Sequence, residues 1–549
     1  MNNNKLMLRD SGLLVRTNPV MALGSGLLIL AFVLFTVVVP EYANSVYGNI
    51  KAFIATDLAW YYVGFMSLAL LLSVWLIFSR YGDIRLGEDD DRPEFSNFSW
   101  FSMLFGAGIG IGILFWSIAE PIYHFQGTPL IAAGQEQTAA AAQVAMRVAI
   151  FHWGLHGWAL FSLAGLTLAY FAYRKGLPLS IRSSLYPIFG DRIYGPIGHV
   201  ADLLAVFGTV FGIATSLGLG AQQINAGLNY LIGIEVSVTT QILLIAVISV
   251  ISTISVMSGL HKGIRLLSEI NMKLTMVVLG LFVVVGPTAY ILGALVTNLG
   301  DYLVHAVELG FWVNPDPKSE WQGWWTIFYW GWWIAWAPFC GIFIARISKG
   351  RTIREFVLGV LVAPTLLAAV WITIFGNAAM YLELFGSGGV VEAVNKDTTM
   401  ALFATIELMT ESQAMVILMS CICTVLLVTY FVTSSDSATL VICTLISMGE
   451  TNPLPRYRVF WGAAIGAVAA VLLLAGGLKA LQTASVVAAL PFSFILIMAI
   501  YGLLTSLRAE VLPLQSASPL ARLTGRSRDP EPELEPEVVP AVTPAPGNI

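Results

Sequence analysis

The chain has 549 residues, 57% of them hydrophobic and 11% charged, with a formal net charge of −5. Water-soluble domains carry about a quarter charged residues, so this composition excludes a cytosolic enzyme, a disordered protein and a disulfide-built secreted scaffold. It fits a large helical membrane bundle in which each crossing takes roughly 20 apolar residues, and the absence of a basic block leaves no reason to expect nucleic acid as a partner.

In chain order, the apolar runs predict twelve spans, at 20–39, 59–79, 98–122, 140–173, 196–232, 236–258, 264–298, 323–347, 353–381, 412–447, 458–477 and 484–506. The first exceeds the apolar core of a signal peptide, about 7–15 residues, and is read as a retained span. Basic residues stay on the cytoplasmic side. With the N-terminus inside, 22 of the 28 Lys and Arg fall in cytoplasmic segments or the span ends beside them; only Lys51, Lys318, Lys396 and Lys479 fall outside, and Arg147 and Lys273 lie within spans. Both termini are therefore expected in the cytoplasm. The proline-rich, acidic stretch Asp529-Pro-Glu-Pro-Glu-Leu-Glu-Pro-Glu537 marks a disordered tail. Cys340, Cys421, Cys423 and Cys443 lack metal-ligand spacing and are expected as free packed thiols. No phosphate-binding glycine loop and no Ser/His/Asp arrangement stands out, so no enzyme is expected.

The third span carries Gly106, Gly108, Gly110 and Gly112 at alternate positions. Each glycine inside a helix costs about 1 kcal/mol relative to alanine. The run is either a close-packing face or an unwound, ligand-facing segment, and alternate spacing sweeps around the helix and favours the second. In the fourth span, Trp158 and Phe161 are three apart, and Trp153 precedes them. His152 and His156 have i,i+4 zinc-ligand spacing but no third ligand, so structural hydrogen bonding is the expectation. The eighth span holds Trp330, Trp332, Trp333 and Trp336 before Pro338, which is expected to interrupt the helix. Interruptions at matching positions of two repeats point to a transporter's midplane binding site. Trp324 and Trp325 read as interfacial anchors, whereas rings converging from two helices form a cage that attracts a quaternary cation by about 2 kcal/mol or more when desolvated. In the tenth span, Thr433-Ser434-Ser435-Asp436-Ser437 offers oxygens for a sodium ion, or bonds back to its own helix. Intramembrane Glu120, Arg147, Asp202, Glu269, Lys273 and Asp436 need partners.

These motifs resemble the betaine–choline–carnitine transporter family from about residue 20 to 507. The likeness is carried by the glycine run ending at Ile118-Ala-Glu120-Pro121, by Trp153 to Phe161, and by Trp330 to Phe339 with the following Gly341 to Arg351; Ser258 to Ile264 and Thr433 to Ser437 stand where the family has its own versions. The resemblance implies an all-α fold of twelve transmembrane helices, with a LeuT-type inverted repeat of five plus five (spans 3–7 and 8–12) after two extra helices. The corresponding regions are 1–97, 98–298, 299–507 with an external linker helix, and a tail at 508–549. It implies a homotrimer in a bacterial inner membrane, in contact with lipids, importing a betaine-type molecule by alternating access. The implied substrate box is Trp153, Trp158, Phe161, Trp332, Trp333 and Trp336, with the backbone at Gly108, Gly110 and Gly112 facing the carboxylate. Na⁺ is the implied coupling ion, with no other cofactor. One sodium site would use Gly106, Ile109, Tyr430, Thr433 and Ser434. The second would use Thr209 and Phe339, but Ile213 stands where a second threonine is usual.

Related proton-coupled choline carriers tend to have aspartate at the Gly112 position, so glycine here favours a zwitterion such as glycine betaine or dimethylsulfoniopropionate. The rivals are a proton-coupled choline carrier and a sodium-independent carnitine/butyrobetaine exchanger. Osmosensing members carry a basic C-terminal helix; the acidic tail here argues against gating of that kind.

Overall fold

The structure is a computed structural model that describes residues 3–108, 110–258, 263–316 and 318–516. Local signals place the helix starts. Asn18 accepts from Val20 and Met21 N–H ahead of Pro19–Val38, Thr138 accepts from Ala141 N–H ahead of Ala139–Trp153, and Thr352 and Glu355 form a reciprocal cap on Ile353–Phe385. Gly233, in left-handed backbone, ends Pro196–Ile232.

Among the described residues, twelve helices are long and apolar enough to cross a membrane, and the bent pair Asn97–Gly106 and Gly110–Phe125 meets the same criterion only when taken together, as a broken span or a re-entrant loop. Among them Thr288–Phe311 is one of the two least buried, and it carries Asp301, His305 and Glu308. The expected span at 264–298 is in fact two helices, Arg265–Val285 and Thr288–Phe311. Gly286 and Pro287 separate them, because proline blocks continuation of the first helix. Read as the linker, Thr288–Phe311 leaves twelve crossings, and it begins before residue 299, where the linker region was expected to start.

The helices sort by burial. The apolar stretch of Trp321–Ile347 is wholly buried, and those of Ala139–Arg174 and Pro196–Ile232 are nearly so, whereas Pro19–Val38 keeps Leu23, Leu27, Leu30 and Leu34 exposed. Apolar surface of that extent is stable only against lipid. Thr326–Ile347 packs most extensively against Leu155–Ala169, which brings the two aromatic motifs face to face at the centre. Arg147 pairs with Asp301 through two bonds of 2.6 and 2.9 Å, clamping the linker helix to the fourth span. The last helical stretch, Gln482–Val511, runs past 508.

Two interruptions matter for the site. The third span bends by 62° between its halves Asn97–Gly106 and Gly110–Phe125, within the glycine run, although helix continues to Gly108. The eighth does not break at Pro338: Thr326–Ile347 stays helical through it, contrary to expectation, and the only non-helical residue among those described in 323–347 is Trp325. Gly208 and Gly212 of the neighbouring helix lie against Ala335 and Trp336, so close-packed backbone braces the position where proline removes an N–H. The second break is instead in the fourth span, at Gly154. There the Tyr302 hydroxyl accepts from Leu155 N–H at 2.9 Å, capping the new helix start, and a Cβ at Gly154 would come within 2.6 Å of that hydroxyl.

Candidate functional site

The Gly154 break turns Trp153 toward the eighth span. Trp332 and Trp333, consecutive on that helix, have rings stacked at 5.8 Å with planes 9° apart. Trp153 stands perpendicular to both, at 6.0 Å from Trp332 and 5.3 Å from Trp333. Trp336 forms a second upright wall, 5.8 Å from Trp332 and 6.3 Å from Trp333. Phe161 meets Trp333 edge-on at 5.4 Å, and Trp158 joins the group through Phe161 at 5.6 Å. Every one of these rings is buried. Gly112 makes the assembly possible: a Cβ there would lie 2.7 Å from the Trp332 ring and 2.8 Å from Trp153. Gly110 is as constrained, because its Cβ would overlap the Tyr430 ring.

Three of these indole N–H groups have acceptors: Trp153 donates to Glu120 (2.9 Å), Trp333 to the His152 carbonyl (2.9 Å) and Trp332 to the Gly212 carbonyl (3.4 Å). Trp336 Nε1 is buried without a partner. A buried donor left unpaired costs about 1–3 kcal/mol, so this N–H is the box's free polar handle.

Behind the box lies a polar centre. Glu120 Oε1 is 2.6 Å from His152 Nδ1 and 3.4 Å from His124 Nε2, while its Oε2 accepts from Trp153 and from the Tyr329 hydroxyl. His152 Nε2 lies 3.0 Å from Thr326 Oγ1, and its ring stacks on Tyr329 at 4.7 Å. The ligating atoms of Glu120, His124 and His152 lie within 4.8 Å of one another, a spacing open to a metal ion. Both carboxylate oxygens already face two polar partners each, so the geometry is satisfied as a hydrogen-bonded clamp on Trp153. Among the described residues His156 belongs to no such group, and its Nδ1 is buried without a hydrogen-bond partner.

A second group of oxygens lies beside the bend of the third span. Thr433 Oγ1 donates back to its own helix at Tyr430 (3.0 Å) or Thr429 (3.2 Å) and accepts from Asn271 Nδ2 at 3.2 Å. The Tyr430 hydroxyl pairs with Thr275 at 2.6 Å, so it is already engaged. Ser434 Oγ, Ser435 Oγ and Asn271 Oδ1 are buried without partners. Unpaired oxygens gathered beside a helix break suit a hard cation. Asn271 was not expected here: it is a lone asparagine in an otherwise ordinary span, and only the packing of Arg265–Val285 on Gln413–Ile446 shows its role. Gly106 stands at the bend, and Ile109 lies outside the described residues. At the second sodium position, Thr209 Oγ1 is buried and unpartnered, Phe339 packs on Trp336 at 5.7 Å, and Ile213 is buried with no side-chain oxygen to offer.

Comparison with known proteins gives this arrangement its class. Residues 20–512 match the family model described as BCCT, betaine/carnitine/choline family transporter. The chain belongs to the betaine/carnitine/choline transporter family. It is a multi-pass membrane transporter and not an enzyme. The transporter is 45% identical over 498 residues to a probable glycine betaine transporter of Desulfitobacterium hafniense, covering 90% of this chain and 98% of that one. It is 44% identical to a glycine betaine transporter of Bacillus subtilis, over 89% of this chain and 94% of the other. A glycine betaine/proline/choline/ectoine transporter of Vibrio parahaemolyticus is 41% identical over 90% of this chain and 88% of that one.

Proposed function

We propose that this protein is a sodium-coupled symporter that imports glycine betaine, or a close zwitterion such as dimethylsulfoniopropionate, by alternating access through a LeuT-type inverted repeat. The observation that carries the reading is the box of two stacked and two upright tryptophans, all buried. Such rings hold a methylated onium group, which donates no strong hydrogen bond, without a carboxylate counter-ion. The unpartnered Trp336 N–H, with the backbone beside Gly110 and Gly112, suits the carboxylate at the other end of a zwitterion. Glycine at 112 leaves no acid there to balance choline.

Sodium is the coupling ion in this reading, held by Thr433, Ser434 and Asn271 with carbonyls freed near Gly106. The missing hydroxyl at Ile213 favours one sodium rather than two. The asymmetry of basic residues supports an inner-membrane location with both termini in the cytoplasm, and the family resemblance supports a homotrimer, which light scattering in detergent tests. The box itself is tested by equilibrium binding of labelled glycine betaine to Trp333→Ala. Binding is expected to be lost, and wild-type affinity would overturn the aromatic-cage reading.

A further inference from the structure

A cavity of about 770 Å³ opens between the helix Pro40–Asp57, the segment before Trp324, and the Gly476–Gly477 kink. Three of the four lysines expected on the external side line it: Lys51, Lys318 and Lys479. Lys51 is only 7% exposed, and its ammonium has no hydrogen-bond acceptor. It sits 3.0 Å from the centroid of the Trp324 ring, and Lys479 approaches the same ring at 5.9 Å. The two carboxylates that line the cavity are held by other donors. Glu320 accepts from Trp324 Nε1 at 3.2 Å, and Asp316 accepts from the backbone N–H of Lys318 at 2.9 Å. Neither forms an ion pair with Lys51 or Lys479 among the described residues. Two ammonium groups thus converge on one indole, one of them buried with three donors and nothing to accept them. A buried charge in that state is costly unless an opposite charge joins it.

We propose that this cavity is an oxyanion site, taking a phosphate group between Lys51 and Lys479, with Trp324 as its wall. The volume exceeds what inorganic phosphate fills, so the group belongs to a larger molecule, either a phospholipid headgroup or a soluble organic phosphate. Asn44, Thr56 and Thr483, also in the lining, offer hydrogen bonds to a polyol portion. Burial, with the neighbouring Lys479 against it and Glu320 in its favour, lowers the Lys51 ammonium to about 7. An anion at this position reverses that shift.

The test uses the purified, delipidated transporter in detergent, with inorganic phosphate as the soluble probe at constant ionic strength. Its thermal midpoint is expected to rise with phosphate, and the rise to disappear in Lys51→Met, weaken in Lys479→Met and persist in Lys318→Met. In parallel, protein from vesicles of phosphatidylethanolamine and phosphatidylglycerol is examined by native mass spectrometry. Phosphatidylglycerol retained by wild type and lost from Lys51→Met identifies a lipid source, whereas a phosphate response without such retention identifies a soluble one. Lys479→Met, at an exposed position, keeps the test valid if Lys51→Met folds poorly. If neither phosphate nor phosphatidylglycerol binding depends on Lys51 or Lys479, the proposal fails. It fails equally if Glu320→Gln, and not phosphate, moves the titration midpoint of Lys51, because Glu320 is then the partner.

Discussion

Gly112→Ala is a direct probe of the box because the structure fixes what its methyl group meets. The new Cβ would stand 2.7 Å from Trp332 Cη2 and 2.8 Å from Trp153 Cη2. Carbon atoms rest at about 3.5–4.0 Å, so the two indoles must part by about 1 Å. Overpacking of this kind costs about 1–3 kcal/mol, and 1.4 kcal/mol is a factor of about ten. If the strain falls on the substrate-bound geometry, half-saturation for glycine betaine should rise roughly 5- to 140-fold. Uptake into liposomes under an inward sodium gradient measures it. Gly64→Ala in the second span is the control, since its Cβ would meet nothing within 4 Å and it lies outside both proposed sites. An unchanged half-saturation in Gly112→Ala would refute the claim that the Trp153–Trp332 spacing sets recognition.

Other outcomes follow from the same geometry. Glu120→Gln replaces one acceptor oxygen by a donor amide, stranding the Trp153 or Tyr329 donor at about 1–3 kcal/mol; betaine affinity should fall about tenfold and the thermal midpoint should drop, whereas wild-type values for both would remove the clamp role. Trp336→Phe keeps a ring but deletes the free N–H. It should weaken glycine betaine binding more than choline binding in competition, and equal losses would argue against a carboxylate contact. Thr433→Ala should raise the sodium concentration for half-maximal uptake severalfold, and an unchanged sodium dependence would dismiss the site. Lys51 is lowered from 10.5 to about 7 by burial. Between those values the unfolded chain holds a proton that the folded chain has released, so stability rises with pH across that window. The thermal midpoint in anion-free detergent should climb from pH 7 toward 10, and Lys51→Met should flatten the climb.

Hydrophobic runs long enough to cross a bilayer are a composition signal, and eleven of the twelve expected spans therefore have a counterpart close to their predicted position. The break at 286–287 lay inside an apolar stretch and left no trace in hydropathy, although Gly286-Pro287 marks it to anyone reading for breakers. Proline misled in the opposite direction at 338, because whether it bends a helix depends on the neighbour packed against it, here Gly208 and Gly212. Trp333 with Trp336, and Trp158 with Phe161, stand out by i,i+3 spacing, whereas Trp153 and Trp332 enter the box only through the family resemblance. The partners of the intramembrane charges were not legible, since Arg147 finds Asp301, Asp202 finds Arg182, and Asp436 finds Ser255 only through tertiary contact. Glu120 shows the limit clearly: an acid in an apolar span announces a partner, but not that Trp153, Tyr329 and two histidines converge on it.

The central claim, sodium-driven import of a betaine, is tested most directly by labelled glycine betaine uptake into proteoliposomes with and without an inward sodium gradient at fixed pH and membrane potential. The account predicts concentrative uptake that requires sodium and that dimethylsulfoniopropionate suppresses more strongly than choline or carnitine. Uptake that proceeds equally without sodium would contradict it, and would leave Thr433, Ser434 and Asn271 as packing residues of the tenth and seventh spans.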